Sequence, residues 1–346
     1  MQVFIAGQKG FISKNLTTFL TEKVDLVLLE RAELNKKADI GIYIATDNPL
    51  EGDKNCVCLE KELMLSDIAA LTQKSNVLFV VSNESDTKFI SAISHLDDEI
   101  VVYTVPEVFG KWSSSTLENS KKFVIGHYCR SVINNESIDT SFDSDLKLLY
   151  IDDLLIRLYN DLGSAPDKIR GGVVDPVYHI KRNQLIETLG RFKSSRKNLI
   201  LDGVGSGLTR ALYSTYISYL PTDQFSYPVS SHNDSRGSFV EVIKTTENGQ
   251  VSYFTANPGV TRGEHYHHSK TEKFLVIKGS ASFKFRHLVS NEMYEIAVQS
   301  DNPVIVESIP GWVHNITNTG SDELIVLLWA NELFDINNPD TIANET

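Results

Sequence analysis

Gly259-Val260-Thr261-Arg262-Gly263-Glu264-His265-Tyr266-His267-His268-Ser269-Lys270-Thr271-Glu272-Lys273-Phe274-Leu275-Val276-Ile277-Lys278-Gly279 is the stretch on which the fold assignment turns. Its spacing is G-x5-H-x-H-x4-E-x6-G, and about 35 residues on comes Pro310-Gly311-Trp312-Val313-His314-Asn315. On a strand, residues i and i+2 share a face, so His265 and His267 point to the same side. A neighbouring strand brings Glu272 alongside, and His314 arrives from a later one. Three imidazoles and a carboxylate make a mixed N/O donor set suited to Zn, Mn, Fe or Ni rather than Ca or Mg. An isolated His-x-His is usually surface decoration, but the complete spacing favours metal binding, with Zn2+ or another divalent transition metal as cofactor. His268 faces away from His267 and reads as structural or at the rim. His287, after Phe285-Arg286, falls on the next strand as a candidate wall residue of the pocket.

Around this stretch, short apolar runs (238–244, 250–256, 273–277, 281–286, 304–309 and 324–330) are separated by Gly, Asn, Asp and Pro turns. Regular short strands of this kind predict an all-β sandwich or barrel. The chain before residue 220 has a different character. Apolar runs at 1–7, 24–29, 39–45, 77–82 and 100–105 alternate with helix-like segments, which predicts a doubly wound parallel α/β domain. Residues 181–219 have helical spacing broken at Gly203-Val204-Gly205-Ser206-Gly207, and Tyr213, Tyr216 and Tyr219 read as packing.

The 346 residues suffice for two domains. A net charge of −12 argues against a nucleic-acid partner, because phosphate backbones select basic surfaces. No run approaches the roughly 20 apolar residues that span a bilayer, so no membrane partner is expected. Three cysteines, Cys56, Cys58 and Cys129, have no framework spacing, and Cys56-Val57-Cys58 reads as a strand. A cytoplasmic location follows as the expectation.

The His/Glu motif with its His314 partner resembles the two-part signature of the cupins, with the proline of the second part shifted by one at Ile309-Pro310-Gly311. Leu212 to Tyr216, Asp234-Ser235-Arg236-Gly237-Ser238-Phe239-Val240-Glu241, the stretch 263–276 and the ending Leu328 to Asp335 resemble the C-terminal half of the CapF-type enzymes of capsular polysaccharide synthesis. That resemblance covers nearly the whole chain. It implies an α/β Rossmann-like (SDR, short-chain dehydrogenase/reductase) domain over residues 1–211 followed by an all-β cupin (jelly-roll barrel) domain over 212–346. It also implies a zinc cupin that epimerises C3 of a UDP-linked 4-keto-6-deoxy-N-acetylhexosamine, after which the SDR domain reduces C4 with NADPH. A homodimer is expected. The Asp-x-Arg-Gly-x-Phe-x-Glu string is also similar to the dTDP-4-keto-sugar 3,5-epimerases, which suggests that Arg236, Glu241 and Arg262 face the nucleotide diphosphate and sugar. Epimerisation needs a base on one ring face and an acid on the other. Lys273, Tyr253 and His287 are the candidates, with no preference among them.

Gly7-Gln8-Lys9-Gly10-Phe11-Ile12-Ser13 follows a strand and opens a helix, the context in which such a loop cradles a pyrophosphate. At the end of the second strand Glu30 favours a free ribose hydroxyl and Arg31 a 2′-phosphate, so NAD and NADP both stay open. Phe109-Gly110-Lys111-Trp112 and Tyr150-Ile151-Asp152-Asp153 match further SDR landmarks. The Tyr-x3-Lys pair of that family, placed on the helix after Ser82, is missing: between Ser82 and Tyr103 there is no tyrosine, and the only lysine is Lys88. The expectation is an active epimerase with a degenerate reductase domain. The alternatives are a two-step enzyme and a non-catalytic sugar-nucleotide-binding or scaffolding protein.

Overall fold

The computed structural model describes residues 1–21, 23–28, 37–46, 60–96, 100–113, 124–164, 169, 171–337 and 339–346. The chain forms two compact units, Met1–Gly190 with Gly205–Pro221, and Arg191–Val204 with Thr222–Thr346.

In the first unit, β1 (Gln2–Gly7), β2 (Asp25–Leu28), β3 (Ala38–Ile44), β4 (Ser75–Asn83) and β5 (Ile100–Val105) are joined through helices α1 (Phe11–Leu20), α2 (Lys61–Thr72) and α3 (Thr87–Ser94). Helix α1 forms where Ile12, Leu16 and Leu20 recur every four residues beside Phe11, and all four are buried. Then come β6 (Glu107–Phe109), α4 (Val124–Asn134), β7 (Asp145–Tyr150), α5 (Ile151–Leu162), β8 (Gly172–Val173), β9 (Tyr178–Lys181), α6 (Arg182–Asn198) and α7 (Gly207–Ser218). The main sheet has the order β2-β1-β3-β4-β5-β8 with parallel pairing throughout. One of its faces packs Phe4, Tyr43, Leu78 and Val80 against Met64, Ile68 and Leu71 of α2. The strand order reverses at β1, so the carboxyl ends of β1 and β3 flank a switch point, the usual place for a ligand in such sheets. Gly7 lies there at φ 100°, and a Cβ on it would meet the Ile44 carbonyl oxygen at 2.3 Å. Glu30, Arg31 and the Cys56–Cys58 segment fall outside the described residues.

The second unit is built from β10 (Ser231–Asp234), β11 (Gly237–Thr245), β12 (Gly249–Ala256), β13 (Thr261–Tyr266), β14 (Glu272–Lys278), β15 (Ser280–His287), β16 (Met293–Gln299), β17 (Ile305–Glu307), β18 (Trp312–Asn318), β19 (Leu324–Ala330) and β20 (Ile342–Ala343). They make two antiparallel sheets, β10-β11-β12-β19-β14-β17 and β16-β15-β18-β13-β20. Alternate residues of the two sheets, among them Phe254, Phe274 and Val326 from one and Phe283, Phe285 and Ile316 from the other, share a single core. Residues 199–201 join this unit by backbone hydrogen bonds to Lys244. Among the described residues no helix is long and apolar enough to cross a membrane.

Candidate metal centre

In the second unit His265 and His314 stand directly opposite each other in the β13–β18 ladder. The register breaks between Gly263 and His265, with Gly263 at φ 96° and Glu264 at φ 62°. This bulge re-aims the following side chain, as bulges near functional sites commonly do. His267 falls one residue past the end of β13, and Glu272 opens β14 in the other sheet. Both sheets therefore contribute to one cluster. Ring centroids are 4.7 Å apart for His265–His314, 5.0 Å for His265–His267 and 5.2 Å for His267–His314. Glu272 Oε2 lies 3.0 Å from His267 Nε2 and 3.3 Å from His314 Nε2.

The four donor atoms lie within 4.8 Å of one another. A divalent ion with bonds of about 2.0–2.2 Å spans roughly 4 Å between opposite donors, so the cluster is close to the required size. The protonation pattern also suits a cation. His267 Nδ1 faces the Asp340 backbone carbonyl at 2.5 Å, and a carbonyl only accepts, so Nδ1 carries a proton and Nε2 is the nitrogen turned toward Glu272 and the cluster. Both ring nitrogens of His314 are buried without a hydrogen-bond partner among the described residues. Burial, reinforced by the neighbouring His314, pushes the His265 pKa down to about 4, which keeps that ring neutral. Burial raises the Glu272 pKa, but the His267 contact and the Lys270 charge more than offset this and hold the group ionised. One carboxylate and three imidazoles can hold a divalent transition metal.

The cluster opens on a cavity of about 230 Å³ whose lining includes His265, Glu272, His314, Phe239, Phe254, Phe274, Phe283, Leu328, Arg236 and Arg262. Arg262 donates to the Thr255 carbonyl at 2.9 Å and stacks 5.2 Å over the Phe254 ring, and its burial lowers its pKa. Arg236 is held by Asp234, with Nη2 at 2.6 Å and Nε at 3.1 Å from Oδ2. Apolar walls with a few converging charged groups are the usual make-up of a small-molecule site.

The polysaccharide biosynthesis C-terminal domain family matches residues 232–342. The chain is 40% identical over 369 aligned positions to UDP-2-acetamido-2,6-beta-L-arabino-hexul-4-ose reductase of Pseudomonas aeruginosa, covering 99% of this chain and 98% of that one. Capsular polysaccharide assembling protein CapF of Staphylococcus aureus superposes with a TM-score of 0.83 at 31% identity, with both chains covered in full. The chain belongs to the CapF family.

Within this CapF-family fold, Arg236 and Arg262 line the cavity together with His265, Glu272 and His314, while Glu241, Lys273, Tyr253 and His287 are not in its lining. Glu241 forms an ion pair with Lys244 at 2.7 Å, just before a register shift in the β11–β12 ladder. Lys273 follows an inward-facing Glu272 and so points outward, where it pairs with Glu307. Tyr253 is on the opposite face of β12 from the cavity-lining Phe254, for the same reason. His287 has the inward parity but lies at the end of β15, where it bonds Ser290 Oγ at 2.8 Å and packs on Trp312. The shifted proline leaves the His314 turn intact, since the Gly311 N–H still reaches the His267 carbonyl at 3.0 Å.

Sequence reasoning did not single out Ser308, which accepts the Glu272 N–H at 2.8 Å, or Lys270, whose Nζ sits 3.3 Å from Glu272 Oε1. In the first unit, Gly10 is the N-cap of α1, with its N–H on Ser13 Oγ at 2.9 Å. Gly7, Ile44 and Val81 form a row across β1, β3 and β4. The hydroxyl of Ser82, one residue past that row, is buried without a hydrogen-bond partner among the described residues. A glycine turn, a helix N-terminus and an orphaned hydroxyl at the carboxyl edge of a parallel sheet fit a dinucleotide.

Proposed function

We propose that this CapF-family chain is a metal-dependent epimerase acting at C3 of a UDP-linked 4-keto-6-deoxy-N-acetylhexosamine in surface polysaccharide biosynthesis. In this reading residues 212–346 form a cupin that performs the epimerisation, and residues 1–211 form an SDR-type dinucleotide domain. The observation that carries it is one cavity lined by His265, Glu272 and His314 of the four-residue donor set and by two arginines. A divalent ion held there, zinc in the first instance, supplies a positive charge that polarises a ketone oxygen and acidifies the adjacent C–H. Arg236 and Arg262 supply guanidinium groups of the kind that grip a diphosphate, and Phe239, Phe254 and Phe283 exclude water from the sugar. A CapF relative takes the inhibitor 3-isopropenyl-tropolone, and tropolones carry adjacent oxygen donors suited to chelating divalent ions.

A second reading has one specific observation behind it: the 40% identical relative is named a reductase of a UDP-linked hexulose. On that reading the dinucleotide edge around Gly7 and Gly10 binds NADPH, and the chain reduces C4 after epimerising C3. NMR of the purified protein with UDP-4-keto sugars in D2O tests the first reading. Deuterium should appear at C3 in the absence of any nucleotide cofactor. A keto-sugar that keeps its C3 proton with metal-loaded protein would remove the epimerase assignment.

A further inference from the structure

We infer that Asp340 is a positioning residue for the metal centre, acting through the turn that joins two of its ligands. This rests on the metal-binding reading above. The turn 267–270 leads from His267 to Glu272, and a ligand on a loose turn is poorly aimed. The Asp340 carboxylate collects the backbone N–H groups of His268, Ser269 and Lys270, each at 2.8 Å, with the Ser269 hydroxyl at 3.1 Å. Three consecutive amides converging on one carboxylate fix the turn as a helix N-cap would, with an ionised acceptor that makes each bond stronger.

Asp340 also reaches the ligands themselves. Its carbonyl takes the Nδ1–H of His267, which sets the ring's tautomer and directs Nε2 to the cluster. The Lys270 amide it grips belongs to a nearly buried residue whose ammonium stands 3.3 Å from Glu272 Oε1, leaving Oε2 toward the imidazoles. Close by, β20 pairs with β13 at His265 and Tyr266, so the segment carrying Asp340 is itself anchored beside a third ligand. One residue thereby orders His267 directly and Glu272 through Lys270.

The test uses the full chain stripped of metal, Co2+ as a spectroscopic probe, and Zn2+ competition against a chelator. Asp340→Ala should bind Zn2+ about 10- to 100-fold more weakly, the usual effect of losing a group that orients a ligand. Its Co2+ absorption should shift or weaken. Both variants keep the backbone carbonyl contact to His267, and Asp340→Asn, which also keeps one side-chain acceptor oxygen, should fall between wild type and Asp340→Ala. Lys270→Met should weaken Zn2+ binding while leaving the His267 contact intact. Circular dichroism melts of the metal-free forms report folding separately. If Asp340→Ala does not fold, Asp340→Asn and Lys270→Met decide the question. Wild-type affinity and an unchanged Co2+ spectrum in the folded variants overturn the inference. A wild-type chain that binds neither Zn2+ nor Co2+ would instead overturn the metal reading on which it rests.

Discussion

Glu272 is a buried carboxylate with two imidazoles and an ammonium within 3.3 Å, and an unpaired buried charge costs several kcal/mol. The Lys270 ammonium balances that charge at Oε1, and a divalent ion would give Oε2 a partner among the imidazoles. Purified without added metal, the protein should carry about one equivalent by elemental analysis, and His265→Ala should carry close to none. Equal metal content in the two would remove His265 from the donor set. The arginines make a separate prediction. Arg262 is half-buried against Phe254 and Arg236 is exposed and braced by Asp234, so both are pre-oriented before any ligand arrives. Contacts to a diphosphate are similar in ground and transition states, so Arg236→Ala and Arg262→Ala should each raise KM by roughly tenfold or more with kcat little changed. A large fall in kcat at constant KM would assign the guanidinium to the chemistry itself.

Among the elements, the β13–β18 ladder carries the most functional consequence, because its bulge sets the aim of His265. Gly263 is at φ 96°, and a Cβ there would come within 2.9 Å of the His314 carbonyl oxygen and 3.1 Å of Asn315 Cα. Gly263→Ala should therefore cost about 1–3 kcal/mol of stability and weaken metal binding, because the strain falls between two ligand strands. A variant with unchanged melting temperature and unchanged metal content would show that the ladder yields freely. The donors themselves were legible in the sequence because a two-residue period and a fixed spacing survive folding almost unaltered. The outward direction of Lys273 was equally legible once Glu272 was taken as inward, since neighbours on a strand alternate. Tyr253 was not, because 253 and 254 are both aromatic and either could have lined the core. Glu241 shares a face with Phe239 but lies further along β11, where it pairs with Lys244, and a single sequence gives no sign of that partner. Asp340 is far from the ligands in sequence, and only pairing of β20 with β13 brings it beside them.

At the scale of the whole chain, the parallel sheet of the first unit was legible from its apolar runs, and β1 to β5 each match one of those runs to within about two residues at each end. What that unit does with a dinucleotide is a chemical question about its tyrosines. Ketone reduction by the SDR route needs a tyrosine whose pKa is lowered by a lysine four residues on, so that it can protonate the carbonyl oxygen. No tyrosine up to Pro221 has lysine at that spacing. The helix after β4 is only Thr87–Ser94, and it carries Lys88 and no tyrosine. Tyr178 has Arg182 at the fourth position, but that guanidinium is engaged by Tyr128 and the Phe142 and Asp139 carbonyls. The tyrosines with shifted pKa values move the wrong way. Burial and Asp161 push Tyr103 far up, burial chiefly raises Tyr150, and burial with Asp153 takes Tyr178 to about 12. A tyrosine braced on a carboxylate gives up its proton reluctantly. The NADPH binding proposed for the edge around Gly7 and Gly10 would draw on backbone rather than on that dyad, and so does not depend on turnover. With keto-sugar supplied, the expected outcome is NADPH binding by fluorescence titration, deuterium exchange at C3, and oxidation at 340 nm at least about 10³-fold below a typical kcat of about 10 per second. Oxidation at ordinary enzyme rates, abolished by a substitution at Gly7, would establish the two-step reading and place the proton donor outside the tyrosine–lysine pair.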